Sequence, residues 1–108
     1  MISDFTIRKA CAHESEIICD FQVYMAKETE NIDLDRSTLR AGVQAVFSDP
    51  SKGYYLVCEE NKKIIACALL IPEWSDWRNG TVLWIHSVYV LPLWRKKGVF
   101  RKMYHDLK

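Results

Sequence analysis

No apolar run in this 108-residue chain approaches the roughly 18 residues that suggest a membrane-spanning helix, and its opening Met1-Ile2-Ser3-Asp4-Phe5 lacks a signal-peptide pattern. The expectation is a cytoplasmic protein with no membrane partner. Cysteine pairs at metal-site spacing are also lacking. Cys11, Cys19, Cys58 and Cys67 form no Cys-x-x-Cys unit, and no histidine stands at finger-like spacing from them, so no metal is expected. Cys58 and Cys67 fall in apolar runs, where a reduced cysteine acts as a small hydrophobe, and all four are read as structural. There is no internal repeat, linker or low-complexity segment, which predicts one domain with a core of modest size. Net charge is nearly absent as well, at +1, but it is unevenly spread. From Pro92 onward six Lys or Arg face one acid, whereas the remainder holds nine basic against thirteen acidic residues. A basic patch can serve nucleic acid, but this one is short and has no interleaved aromatic residues to stack on bases. No nucleic-acid partner is expected; a small anionic molecule fits better.

What is present reads as alternating helices and strands. Phe5, Thr6, Ile7 and Arg8 alternate apolar and polar as a short strand. Ile17, Ile18, Phe21 and Met25 recur at helical spacing and predict a helix over about 13–30, with Glu14, Asp20, Lys27 and Glu28 on its other face. Asp35 is the expected N-cap of a second helix whose stripe is Leu39, Val43, Val46 and Phe47, ending before Asp49-Pro50. Gly53 opens a strand over 54–59, a polar turn of about four residues follows, and 64–71 returns as its hairpin partner. Residues 72–80 read as a longer loop with a turn signal at Asn79-Gly80, and a last strand is predicted over 81–91.

That last strand leads into the most informative segment. Val88, Tyr89 and Val90 are followed by Pro92, a basic stretch of Arg95, Lys96 and Lys97, then Gly98, and an amphipathic helix with Val99, Met103 and Leu107 on one face. Amides at a helix start have no intrahelical partner and attract anions, glycine admits a bulky group to the backbone, and the cations add long-range attraction. Taken alone, the same pattern also fits an ordinary strand–turn–helix junction with a solvated basic surface. The whole series resembles the cofactor-binding motif of the GNAT superfamily of acyl-CoA-dependent N-acyltransferases. There a Val-x-Val strand end and a Pro precede Arg/Gln-x-x-Gly-x-Gly/Ala at the opening of a helix. The sequence departs at the last position, where Phe100 replaces Gly or Ala; a side chain there either crowds the diphosphate side or packs beneath the helix.

The resemblance implies an α/β fold of the α+β type, with a mostly antiparallel sheet and flanking helices, and a function as an N-acetyltransferase using acetyl-CoA as cosubstrate on an amine acceptor. It implies that the CoA thioester lies along Val88, Tyr89 and Val90 and that the diphosphate meets Arg95, Lys96, Lys97, Gly98, Val99, Phe100 and Arg101, largely through backbone amides. A base should lie on the strands beside the thioester. His86 is the first candidate, since strand alternation sets it on the face of Val88 unless a bulge intervenes, and its unperturbed pKa suits a proton acceptor near neutral pH; a histidine bonded within the sheet is the other reading. Glu73, with Asp76, is the rival base or substrate-charge binder, or simply a solvated acid. Trp74, Trp77 and Trp84 line an acceptor pocket or pack in a core or interface. Tyr89 and Tyr104 are candidate acids by residue type alone.

The family fold continues beyond this motif with a further strand, a helix and a final antiparallel pair. The resemblance therefore implies that 1–108 is a single domain incomplete at its C-terminus, and the activity of such a chain is open; a non-catalytic acyl-CoA-binding or protein-interaction module is the alternative. It also implies an open edge on the strand at 81–91, with Val82, Trp84, Val88 and Val90 beside unpaired backbone groups and no lysine or proline to discourage pairing. A homodimer through that edge is expected.

Overall fold

The computed structural model describes residues 5–105. Strand β1 (Thr6–Lys9) leads through a short 3-10 turn (Ala12–Glu14) into α1 (Ser15–Glu30), α2 (Arg36–Ser48), a second 3-10 turn (Pro50–Lys52), β2 (Tyr54–Glu60), β3 (Lys63–Ser75), β4 (Gly80–Val90), a third 3-10 turn (Pro92–Trp94) and α3 (Val99–His105). The four strands form one antiparallel sheet in the order β1-β2-β3-β4, with helices on both faces.

Helix boundaries follow local chemistry. Asn31 stops α1 in the left-handed region at φ 54°, its N–H bonding the Lys27 carbonyl at 3.1 Å. The Asp35 carboxylate accepts from the Thr38 amide at 3.0 Å and caps α2. Arg36 bonds Asp20 at 2.8 Å and Arg40 bonds Glu16 at 2.8 Å, clamping α2 to α1. Gly53, at φ 132°, precedes β2 where a Cβ would meet the Leu70 carbonyl oxygen at 2.4 Å, so only glycine fits.

β2 is buried on both faces, which explains its continuous apolar run. Leu56 and Cys58 join Ala66, Ala68, Leu70 and the α3 residues Val99 and Met103 on one face. Tyr55 and Val57 turn to the other, where Ile18, Cys19, Phe21 and Val43 from α1 and α2 cover them. Cys19, Cys58 and Cys67 are reduced and buried as small hydrophobes, while Cys11 is exposed and departs from that expectation.

Three other expectations change. The β2–β3 turn is tighter than expected, with two residues, Asn61 (φ 49°) and Lys62 (φ 66°), between the strands. Residues 72–75 are not loop: Pro72 pairs with Leu83, and β3 and β4 run on as an arm to a turn at 76–79. Proline is tolerated because β2 pairing ends at Tyr54 opposite Leu70, leaving the outer part of β3 with one neighbour. A β-bulge lies in β4, with Leu69 opposite Ser87 and Leu70 opposite Ile85, so His86 is the extra residue. Ile85, not His86, keeps register with Val88 on the α3 side, and the alternation expected between His86 and Val88 does not hold.

Candidate active site

The end of β4 and the start of α3 enclose the principal candidate site. After Val90 the chain turns away at Pro92, with the Trp94 amide bonding the Leu91 carbonyl at 2.9 Å. Trp94 is held by its indole N–H to Glu60 at 2.9 Å and by Lys63, whose ammonium lies 4.9 Å from the ring centroid. Lys96 (φ 64°) and Gly98 (φ 84°) then reverse the backbone. The first bond of α3 runs from the Lys102 amide to the Gly98 carbonyl at 3.0 Å, so the amides of Val99, Phe100 and Arg101 precede any intrahelical acceptor.

The resulting cleft has a volume of about 470 Å³ and is walled by Trp94, Val90 and Phe100, with Arg95, Lys96, Arg101 and the Gly98–Val99 backbone around it. A Cβ on Gly98 would touch nothing within 4 Å, so the backbone is open to a bulky group. Phe100 is half exposed with its ring 6.4 Å from that of Tyr104; it borders the cleft and does not pack beneath the helix. Val99 is buried in the core at 2% exposure, so only its backbone can face a ligand. Lys97 is exposed and borders neither this cleft nor its neighbour.

The neighbouring cleft, about 320 Å³, lies between the C-terminal turn of α1 and β4. Val88 and Tyr89 line it together with Met25, Glu28 and Thr29. Tyr89 packs its ring against Phe21 (5.5 Å) and Tyr24 (6.0 Å) and donates its hydroxyl to Glu28 at 2.7 Å. Burial, with the Glu28 bond, pushes the Tyr89 pKa up to about 12. The Tyr89 bond, with the Arg95 guanidinium, holds the Glu28 carboxyl below its usual range. Arg95 spans both clefts: it donates from Nε to the Val90 carbonyl at 2.8 Å, pairs with Glu28 at 2.9 Å, and sits 5.3 Å from the Tyr89 ring centroid. Glu28 is a member of the site that sequence patterning assigned to the far face of α1. Its spacing of seven from Phe21 and three from Met25 puts it on the apolar stripe, and that is the signal that could have found it.

The candidate bases stand apart from these clefts. His86 is exposed at the bulge, near Val88 along the strand but on neither lining. Glu73 lies out on the arm opposite Val82, roughly 25 Å along β4 from Val90 at the usual strand rise, and accepts from the Trp84 indole N–H at 2.6 Å. Asp76 is in the turn at the tip. Trp74, Trp77 and Trp84 are 64%, 96% and 54% exposed, so they form no buried pocket on this arm.

Comparison with known proteins agrees with this architecture. The family model for the acetyltransferase (GNAT) family matches residues 13–108. The chain belongs to the GNAT acetyltransferase family. A possible acetyltransferase from Clostridium difficile 630 is 41% identical and superposes with a TM-score of 0.89 over 95% of this chain and 68% of its own. A GNAT family acetyltransferase from Staphylococcus aureus shares the fold at 15% identity, with a TM-score of 0.75 over 98% of this chain and 76% of its own. An aminoglycoside N-acetyltransferase in complex with CoA does so at 14% identity, with a TM-score of 0.75 over 99% and 68% respectively. The curated proteins yielded no match.

Proposed function

We propose that this protein transfers an acetyl group from acetyl-CoA to an amine. The observation that carries the reading is the cleft of Arg95, Lys96, Arg101 and the open Gly98 backbone, at the end of β4 in a chain of the GNAT family. Three cations, unpaired amides and room for a bulky anion suit a diphosphate. The aminoglycoside enzyme that shares the fold is known with CoA, which supports the same class of ligand here.

When bound, the thioester supplies an activated acetyl group, and the remaining work falls to the chain. The Arg95, Lys96 and Arg101 side chains, the open Gly98 backbone and the amides of 99–101 would hold the diphosphate. The outer edge of β4 has no strand partner among the described residues, so Val88, Tyr89 and Val90 offer backbone groups to an extended pantetheine arm. His86, on the same strand, takes the proton of the attacking amine directly or through water. Glu73, engaged with Trp84 on the arm, suits a charged group of a large acceptor better than proton transfer beside Val88. Tyr89 is a poor proton source for the leaving thiolate, because its hydroxyl is committed to Glu28 and its pKa is raised.

Incubation with acetyl-CoA and a panel of amines, followed by thiol release, tests the reading. Amine-dependent release is expected. CoA binding without turnover on any amine would instead favour a non-catalytic acyl-CoA-binding module.

Two further elements belong to the proposal. The protein works in the cytoplasm, where its reduced cysteines persist. It self-associates through the open β4 edge, where Leu83 and Trp84 are 44% and 54% exposed. Light scattering over a dilution series checks the latter, and a monodisperse monomer at high concentration would contradict it.

A further inference from the structure

Arg95 is the one charged side chain among the described residues that lines both clefts. One of its guanidinium nitrogens bonds both Glu28 oxygens, at 2.9 and 3.0 Å, while Nε bonds the Val90 carbonyl at 2.8 Å. That carbonyl belongs to the strand end that borders both clefts, and Glu28 is the single acid on either lining among the described residues. The Tyr89 hydroxyl donates to Oε2 of the same carboxylate at 2.7 Å, a hold that does not depend on Arg95. Arg95 therefore neutralises in one cleft the acid it could leave for a phosphate in the other.

We propose that Arg95 couples the two clefts: an anionic diphosphate in the larger one draws it from Glu28 and Val90, and Glu28, still held by Tyr89, then seats the ammonium of a cationic acceptor in the smaller one. This rests on the acyl-CoA reading above and adds the acceptor class and the order of binding. A carboxylate with one oxygen held by a phenol and the other left free suits an ammonium, and an anionic acceptor would be repelled once Arg95 has moved. Glu28 binds the acceptor here and is not assigned as its base: the Tyr89 hydroxyl, the larger cause of its lowered pKa, stays on the carboxylate once Arg95 has moved. The exchange is a competition, so the carboxylate that recruits the acceptor also opposes cofactor binding in the free protein.

Calorimetric titration with CoA, on wild type, Glu28→Gln, Arg95→Ala and the double variant, tests the coupling. Glu28→Gln should tighten CoA about three- to tenfold by releasing Arg95, and Arg95→Ala should weaken it. In the Arg95→Ala background, Glu28→Gln should change CoA affinity less than about twofold. With spermidine as probe, saturating CoA should strengthen binding to wild type at least about fivefold, and Glu28→Gln should abolish that gain. In wild type, the Arg95 Nε–H resonance should shift on CoA addition, a measurement that needs no variant to fold. Unchanged or weakened CoA binding by Glu28→Gln, a static Arg95 resonance, or spermidine binding indifferent to CoA overturns the coupling alone. No CoA binding by wild type overturns the acyl-CoA reading with it.

Discussion

Replacing Glu14 with glutamine tests how the turn before α1 is tied to the sheet. The Glu14 carboxylate bonds two guanidinium nitrogens of Arg8 on β1, at 2.9 and 2.6 Å, and accepts from the Cys11 amide at 2.8 Å. Arg8 also bonds Glu59 on β2 at 3.0 Å, so one arginine joins two strands and the helix entry. The Arg8 bonds, against a smaller burial cost, bring the Glu14 pKa from an ordinary 4.5 to about 2. At about 1.4 kcal/mol per unit the shift sets a ceiling near ~3 kcal/mol. Because the Arg8 side chain is 33% exposed, solvent screening reduces the expected contribution to about 1–2 kcal/mol. A carboxylate with a depressed folded pKa adds stability above its unfolded pKa and loses it as pH falls toward the folded one. Urea unfolding at pH 7 should therefore show Glu14→Gln less stable than wild type by about 1–2 kcal/mol. The gap should narrow as pH falls from 4.5 toward 2. Comparing the two proteins isolates Glu14 from Glu16 and Asp49, whose pKa values are also lowered to about 2. An equal gap at pH 7 and pH 2.5 would refute the ion-pair reasoning.

Gly98→Val should weaken CoA binding more than Lys96→Ala in calorimetry: a β-branched residue at φ 84° costs about 1–3 kcal/mol or reshapes the turn, whereas the alanine removes one exposed charge. His86→Ala should lower amine-dependent thiol release while leaving acetyl-CoA affinity within about twofold; loss of both together would make His86 a binding or structural residue. Val90→Lys should dissociate any dimer formed through the β4 edge, read by light scattering, and should also weaken CoA binding at that edge.

Much of the fold was legible because single residues carry strong local signals. Asp35 caps α2, Gly53 opens β2 where a side chain cannot fit, and Asn79 supplies the left-handed residue before β4. The cleft between β4 and α3 was legible for the same reason, since Pro92 turns the chain after β4 and Gly98 leaves the backbone open. What escaped depends on pairing between distant segments. Pro72 reads as a breaker until β2 is seen to stop opposite Leu70. The bulge at His86 is marked by no glycine or proline between Thr81 and Leu91, yet it removes the alternation argument that linked His86 to Val88. Glu28 resembled a solvated helix acid, and only the approach of Tyr89 and Arg95, more than sixty positions away in sequence, reveals it as part of the site.

A CoA titration followed through backbone amide shifts locates the ligand on the chain. Saturable shifts concentrated at Val88, Tyr89 and Val90 and across 95–101, with smaller ones at Glu28, are expected. Shifts confined to the first part of α1 and to α2, or none at saturating CoA, would contradict that placement.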